Sequence, residues 1–275
     1  MTINVKYIYL SMDDLTHYIY CIPTAWFRKN IYKDCNQILL FENKGLRVIT
    51  RIEENTASIE TLFISTVMIH DLSCPLSIEN IPDDMKDILQ CSLFECMYIK
   101  LTPDLNKISI YSDLSSHAFK YNKNIIISRD NPYNLDFNLN IVHESYISID
   151  KLLECSIYIS SVHSISIHTS VSNNNFFMSG YDEENNKSWV YIQEKSKWTP
   201  GEGATRVYAG YLYYILEIIK KKIKFSNVLK IKISDSGVLI LVLLLNDGTH
   251  IKSIIAPMIQ SGGLVVDNDD LPTTN

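Results

Sequence analysis

The sequence predicts an α+β protein in which one order of elements, β-α-β-β-β, recurs along the chain. Apolar residues alternate in period two between turn residues in many short segments, which is typical of strands. Helical spacing is clear in fewer segments, and each of these follows a predicted strand. Of the 275 residues, 46% are hydrophobic and 20% are charged, so the chain can bury a sizeable core.

The unit nearest the C-terminus has the clearest pattern. Residues 211–225 place leucine and isoleucine at helical spacing, and the segment 205–209 before them has the character of a strand. Strands are predicted after the helix at 228–234, 238–245 and 250–257, with Asp-Ser-Gly and Asn-Asp-Gly as the turns. The predicted order is therefore β-α-β-β-β.

The segment before this unit predicts the same order. A strand at 141–147 precedes a helix from Ile149 to about Ile159, and Ser148 is the predicted N-cap. Three further strands are predicted at 164–169, 175–179 and 189–193.

The N-terminal half predicts two more units. The first begins with a strand at Ile3–Leu10 and a helix at Met12–Phe27, which Pro23 would kink or end. Its remaining strands are predicted at 37–42, 46–50 and 57–65. The fainter second unit has a helix at 82–90 and strands at 67–72, 96–101, 107–111 and 117–121.

The repeat and a polar segment between its halves predict two similar domains. Four units average roughly 69 residues each, and a fixed order at that period indicates internal duplication. Residues 129–140 are rich in Asn and contain a Pro, which is the composition of a linker. We therefore predict an N-terminal domain at 1–128, an interdomain linker at 129–140, and a C-terminal domain with a flexible acidic tail at 141–275.

Composition excludes several classes of protein. The net charge of −6 argues against a uniformly basic nucleic-acid binder, although a local basic face stays possible. The longest apolar stretch is too short for a membrane helix, and the N-terminus lacks the features of a signal peptide, so we expect a protein inside the cell and away from membranes. The six cysteines are dispersed, which favours reduced, buried thiols over a zinc site or disulfide framework. No cofactor is predicted.

The order of units resembles that of sliding clamps of the proliferating cell nuclear antigen (PCNA) family. The segment Ile147-Ser-Ile-Asp-Lys-Leu-Leu-Glu-Cys is similar to the start of that family's second domain, and His250-Ile-Lys-Ser-Ile-Ile-Ala-Pro to its final strand and tail. The segments that begin at Phe41 and Ser226 resemble the Rad-one type subunit of the heterotrimeric 9-1-1 checkpoint clamp. Arg51-Ile-Glu-Glu-Asn-Thr-Ala-Ser departs from the loop usual in the replicative clamp, which favours a divergent paralogue.

The resemblance implies a PCNA-like DNA clamp, with two β-α-β-β-β units per domain, helices on the inner face of a ring and sheets outside. It implies a non-catalytic subunit of a heterotrimer in the nucleus that encircles double-stranded DNA at damage sites. The implied partners are two other clamp subunits, a clamp loader, and checkpoint and DNA repair proteins on the outer face. A homotrimeric replicative clamp is the main alternative, and an interaction scaffold that does not bind DNA is a further one.

Basic residues on the predicted helices are the candidates for facing DNA. Lys220 and Lys224 fall on the side of their helix away from the apolar stripe, with Lys221 beside them. A sliding clamp needs only diffuse attraction to phosphates, which such point charges can supply. Alternatively, these lysines are a solvated feature that complements the helix dipole. The predicted DNA-facing residues are Lys220, Lys221, Lys224, Lys151, Arg28 and Lys29.

A second candidate site follows from the resemblance, which implies an outer groove that binds partner peptides. Its matching residues are Leu135, Phe137, Leu139, Ala256 and Pro257. If the linker is extended, the alternation of Leu135, Phe137 and Leu139 directs three apolar side chains to one side, which also fits simple packing onto the sheet.

The sequence favours a protein that is not an enzyme. It contains no Gly-x-Ser-x-Gly elbow and no Walker loop, and its adjacent acidic pairs point apart on strands or helices. A 3'-5' exonuclease is the enzymatic alternative, but the sequence shows no organised set of carboxylates for it.

Overall fold

The computed structural model describes fifteen segments of the chain. They are residues 18–33, 35–53, 57–64, 72, 74–91, 93–102, 104–112, 120–129, 139–161, 166–172, 175–181, 187–190, 203–222, 228–245 and 249–257. The fold is α+β, as the sequence predicts, with antiparallel sheets and few helices.

Residues 18–124 contain eight strands and two helices in the part that the structure describes. They are β1 Tyr18–Pro23, α1 Thr24–Asn30, β2 Gln37–Glu42, β3 Gly45–Glu53, β4 Ala57–Ile64, β5 Leu76–Ile78, α2 Asp83–Leu89, β6 Cys96–Leu101, β7 Lys107–Tyr111 and β8 Lys120–Asn124.

Residues 141–255 contain the same number of described elements in the same order. They are β9 Ile141–Ser148, α3 Ile149–Ser161, β10 Ser166–Ser172, β11 Asn175–Tyr181, β12 Lys187–Val190, β13 Gly203–Tyr208, α4 Ala209–Lys222, β14 Val228–Ser234, β15 Leu239–Leu244 and β16 His250–Ile255.

The sheet orders repeat as well. The sheet β1-β6-β7-β8 has the same pattern as β9-β14-β15-β16, and β5-β2-β3-β4 has the same pattern as β13-β10-β11-β12. Two of these four-stranded arrays join edge to edge, because β4 pairs with β16 in antiparallel register from Ala57 opposite Ile255 to Leu62 opposite His250. The result is one eight-stranded sheet that spans both halves of the chain.

The main correction to the sequence prediction lies in the first unit. Residues 18–23 of the predicted helix Met12–Phe27 are strand β1, and the helix begins only at Thr24, after Pro23. Burial of Ile19, Tyr20 and Ile22 in the sheet explains the change, since a strand can place these residues in the core while it pairs with β6. The predicted strand at 3–10 and residues 67–71 of the predicted strand at 67–72 lie outside the described residues. Leu72 is not in a strand, and the strand that precedes α2 is β5.

Each half has its own apolar core between helices and sheet. In the N-terminal half, Phe27 of α1 and Met85 of α2 pack with strand residues such as Phe41. In the C-terminal half, Leu216 of α4 packs against β9 and β14–β16, and Ala57 and Ile59 of β4 belong to the same cluster. The pairing of β4 with β16 is therefore also a packed apolar junction.

The six cysteines, which the sequence predicts to be buried, are half-buried, and the structure contains no disulfide between them. Within the described residues no helix is long and apolar enough to cross a membrane.

Candidate nucleic-acid interface

Helices α3 and α4 pack side by side and expose one polar face. The apolar stripe of α4, which includes Leu212, Ile215 and Ile219, is buried. The predicted residues Lys220 and Lys221 at its C-terminal end are exposed, and so is Lys151 on α3. The structure therefore places these three residues on the surface of one helix pair, while Lys224 lies outside the described residues.

Acidic side chains partner both predicted lysines of α4. Lys220 forms an ion pair with Asp150 in the first turn of α3. The ammonium group of Lys221 lies 3.9 Å from the carboxylate of Glu217, one turn earlier on α4. That carboxylate also accepts a 2.9 Å hydrogen bond from the Tyr213 hydroxyl, and this bond raises the pKa of Tyr213. These surface pairs reduce the positive charge that the helix pair presents.

The third lysine of the run, Lys222, is buried, with only 7% of its surface exposed. Its Nζ atom donates a 3.1 Å hydrogen bond to the Thr61 hydroxyl of β4 and lies 5.9 Å from the centre of the Tyr32 ring. Burial lowers the pKa of Lys222 to about 7. Lys222 therefore belongs to the junction between α4 and the N-terminal half rather than to a DNA-facing surface.

The helical spacing already contained a signal for this burial. Lys222 follows Ile218 by four residues and Ile219 by three, so a helical wheel places it on the apolar side. The sequence prediction placed Lys220, Lys221 and Lys224 on the polar side of the wheel and gave Lys222 no role.

Of the other two helices, α1 exposes basic side chains and α2 exposes acidic ones. Arg28 and Lys29, which the sequence prediction placed just after the first helix, are exposed in the last turn of α1. On α2, the carboxylates of Asp83, Asp84 and Asp87 are exposed. Each carboxylate has a lysine partner. The distance is 3.4 Å from Asp83 to Lys86, 2.6 Å from Asp84 to Lys123, and 2.5 Å from Asp87 to Lys33.

The four described helices together are close to neutral at their surfaces. Five basic side chains are exposed: Arg28, Lys29, Lys151, Lys220 and Lys221. Six acidic ones are exposed or half-exposed: Asp83, Asp84, Asp87, Asp150, Glu154 and Glu217. Any attraction of these helices to phosphate is therefore local, at the ends of α1 and α4.

Three of the five predicted groove residues lie in the described chain, and all three are half-buried: Leu139, Ala256 and Pro257. The turn between β14 and β15 connects them. The amide of Asp235 in this turn donates a 2.9 Å hydrogen bond to the carbonyl of Asn140, next to Leu139. A Cβ atom placed on Gly237 of the same turn would lie 3.4 Å from Pro257 Cβ. Leu135 and Phe137 lie outside the described residues.

Six strands lie at the ends of the three described sheets, and each pairs with only one other described strand: β1, β5, β8, β9, β12 and β13. Among them, β8 and β12 are the two whose counterparts in the repeat lie inside a sheet. In the repeated topology, β8 corresponds to β16 and β12 corresponds to β4, and these two counterparts pair with each other. The fold thus shows one completed strand junction and the two halves of a second.

The register of β8 against β7 shows which backbone N–H and C=O groups of β8 point away from β7. The Ile125 amide donates to the Asn106 carbonyl beside β7, and β8 pairs with β7 without interruption. Because backbone groups alternate in direction along an antiparallel strand, Tyr121 and Lys123 pair with β7, while the N–H and C=O groups of Asn122 point outward. Ile126, just beyond β8, is 93% exposed.

The described residues include no group of three or more His, Cys, Asp or Glu side chains placed to hold a metal ion. No protein-family model matches the chain, and no curated protein matches it.

Proposed function

We propose that this chain is a non-catalytic subunit of a heterotrimeric DNA sliding clamp that acts in the nucleus at sites of DNA damage. The observation that carries the proposal is the repeated topology with its unpaired β8 and β12 edges. Within the chain, β4 pairs with β16. If β12 of one subunit pairs with β8 of the next in the same way, every subunit contacts the next through the same type of strand pairing. Repeating one heterologous contact in this way generates a ring when the rotation closes.

The composition of the two edges favours unlike neighbours over copies of the same chain. Strand β8 has the sequence Lys-Tyr-Asn-Lys-Asn and β12 has Lys-Ser-Trp-Val, so both carry lysine and neither carries an acid. Pairing β8 of one copy with β12 of another would bring together lysines from both strands with no acid on either strand, which is unfavourable across a strand pair, although Lys123 already has Asp84 as a partner. Partner subunits with acidic edges would complement both strands.

The helix surfaces support a shared role in DNA binding. A homotrimer must obtain all its attraction to phosphate from one type of subunit. The described helices of this chain expose five basic side chains, but they also expose or half-expose six acidic ones. In a heterotrimer, the companion subunits supply the rest. The proposed partners are therefore two other clamp subunits, double-stranded DNA in the ring hole, a clamp loader, and repair and checkpoint proteins on the outer face.

The first experiment measures the mass of the purified chain by light scattering. We expect a monomer of 31.6 kDa at micromolar concentration. A stable trimer of this chain alone would refute the heterotrimer and support the homotrimeric replicative clamp.

The second experiment tests encirclement. The tagged complex, purified from its native source with its companion subunits and loader, is loaded onto nicked circular DNA and washed with high salt, and the DNA is then cut once. A ring should resist the salt and leave the DNA after linearisation, because the hold on DNA is topological. Equal retention before and after cutting would refute the clamp proposal.

Variants at Asn122 test the strand junction. Asn122→Pro removes an outward N–H and leaves the hydrogen bonds to β7 in place, so we expect loss of ring assembly. Asn122→Ala is the matched control, because both variants lose the 2.6 Å hydrogen bond between the Ser109 hydroxyl and the Asn122 side chain. Assembly of the proline variant at the level of the alanine variant would exclude the β8 edge as an interface.

A further inference from the structure

Two of the six cysteines lie next to each other on adjacent strands. Cys21 of β1 pairs in register with Tyr98 of β6, and Pro23 of β1 pairs with Cys96. Because side chains alternate in period two, Cys21 and Cys96 lie on the same face of the sheet as diagonal neighbours on the two strands. Both residues are half-buried thiols outside any disulfide, on the face opposite the core residues Ile22 and Met97.

The two sulfur atoms are in hydrogen-bonding contact. The Cys21 thiol donates to the sulfur of Cys96, and this bond lowers the pKa of Cys96 to about 7. The same bond, together with burial, raises the pKa of Cys21, while a hydrogen bond from the Tyr98 side chain opposes the rise. The direction of this hydrogen bond favours Cys96 as the attacking sulfur, and the strand register places Cys21 beside it.

We propose that Cys21 and Cys96 form a reversible thiol–disulfide site that hydroperoxides oxidise. The Cys96 thiolate attacks a peroxide oxygen, so that a sulfur–oxygen bond forms, the oxygen–oxygen bond breaks, and the released alkoxide or hydroxide takes up a proton. Cys96 is then a sulfenic acid, and the peroxide has been reduced to an alcohol or water. The Cys21 sulfur next attacks Cys96, forming the sulfur–sulfur bond and releasing water with the Cys21 proton. Two thiols and one peroxide give one disulfide, one alcohol or water, and one water.

The position of Cys96 at a strand end allows the bond to close. Diagonal neighbours on antiparallel strands have Cα atoms about 7–8 Å apart, slightly beyond the usual range for a disulfide. Cys96 is the first residue of β6, and the described pairing of β6 with β7 begins only at Tyr98. Closing the bond therefore requires Cys96 to move relative to Pro23, its partner on β1, and it leaves the described register between β6 and β7 unchanged.

Cys155 on α3 provides the contrast within the chain. It is also half-buried, but burial raises its pKa to about 11, so little of it is thiolate at neutral pH. We expect Cys96 to react with hydrogen peroxide about tenfold or more faster than Cys155.

The test is peptide mapping of the native full-length chain after treatment with an equimolar amount of hydrogen peroxide at neutral pH. After alkylation and digestion, the peptides of Cys21 and Cys96 should appear as one cross-linked species that dithiothreitol separates. The cross-linked species should be about 2 Da lighter than the two reduced peptides, because two hydrogen atoms are lost. The Cys21→Ser variant should leave Cys96 as a sulfenic acid that dimedone traps, and the Cys155→Ser variant should cross-link like the natural chain.

Failure to cross-link while Cys96 remains open to alkylation would overturn the proposal, as would oxidation spread evenly over the six cysteines. If a variant does not fold, the peptide map of the natural chain alone shows whether Cys21 and Cys96 cross-link. The result is independent of the clamp proposal, since it requires neither DNA nor partner subunits.

Discussion

Replacement of the buried Lys222 by methionine should stabilise the protein, and the gain should depend on pH. Lys222 lies at the junction between α4 and the N-terminal half, where its described partners are the Thr61 hydroxyl and the Tyr32 ring. Burial lowers the pKa of Lys222 from 10.5 to about 7. Between these values the unfolded chain binds a proton at Lys222 that the folded chain does not, so stability rises with pH across this window. Below pH 7 both states are protonated, and the full cost of burying the charge applies.

The magnitude follows from the two pKa values. A fall from 10.5 to about 7 costs about 5 kcal/mol below the window, at 1.36 kcal/mol per pH unit. The cost is about 4 kcal/mol at pH 7 and about 2 kcal/mol at pH 9. Methionine keeps the apolar stem of Lys222 but leaves Thr61 without this hydrogen bond, which costs about 1 kcal/mol. The net gain of Lys222→Met should therefore fall from about 3 kcal/mol at pH 7 to about 1 kcal/mol at pH 9.

Urea unfolding at these two pH values measures the effect, with Lys221→Met as the matched control. Lys221 is the preceding residue of the same helix, but its side chain is 75% exposed, so its replacement should change stability by about 0.5 kcal/mol or less at either pH. Tyr32 does not interfere at pH 7 or 9, because burial raises its pKa from 10.0 to about 12 and both values lie above pH 9. Equal stability of both variants, with the pH dependence of the natural chain in each, would show that Lys222 is solvated and would refute the reasoning.

Three further substitutions test other parts of the fold. Arg47→Met should cost about 3–5 kcal/mol in urea unfolding, because it leaves the Glu60 carboxylate, only 5% exposed, without the guanidinium 2.6 Å away; a cost below about 1 kcal/mol would contradict this. Gly237→Ala should cost about 1–2 kcal/mol in the same assay, because Gly237 has φ +76° in the turn beside Pro257, and an unchanged midpoint would exclude strain there. Asp84→Asn should cost less than about 1 kcal/mol, because its ion pair with Lys123 is largely exposed. It should also lower the pKa of Tyr121, whose hydroxyl donates to Asp84, and a spectroscopic titration of tyrosine that shows no change would contradict the contact.

The sequence predicted the C-terminal hairpins well because local signals agree there. The segment Val228–Ser234 alternates in period two, and Asp-Ser-Gly follows it at the turn to the next strand. In the structure, Gly237 adopts positive φ in this turn and β14 pairs with β15. The third strand ends at Ile255, before Ala256 and Pro257, close to the predicted end. Where turn chemistry and apolar alternation coincide, the sequence locates strands to within a residue or two.

The sequence failed at the first helix because distant residues decide the structure there. Residues 12–27 have apolar side chains that fit a helix, yet Tyr18–Pro23 pairs with β6, almost eighty residues later in the chain. Pro23 fits both interpretations, since proline can end a helix or stand just before one. Only the partner strand distinguishes them, and the pattern of one segment does not reveal its partner.

The predicted surface lysines show a different limit of sequence reasoning. Helical spacing located Lys220 and Lys221 on the exposed side of α4, where they lie in the structure. It did not reveal their acidic partners, because Asp150 belongs to another helix about 70 residues earlier. The basic stripe is therefore an ion-paired surface, and its attraction to phosphate must compete with Asp150 and Glu217. In the proposed clamp, such paired charges would allow sliding, because a nearly neutral surface would not bind DNA tightly at one position.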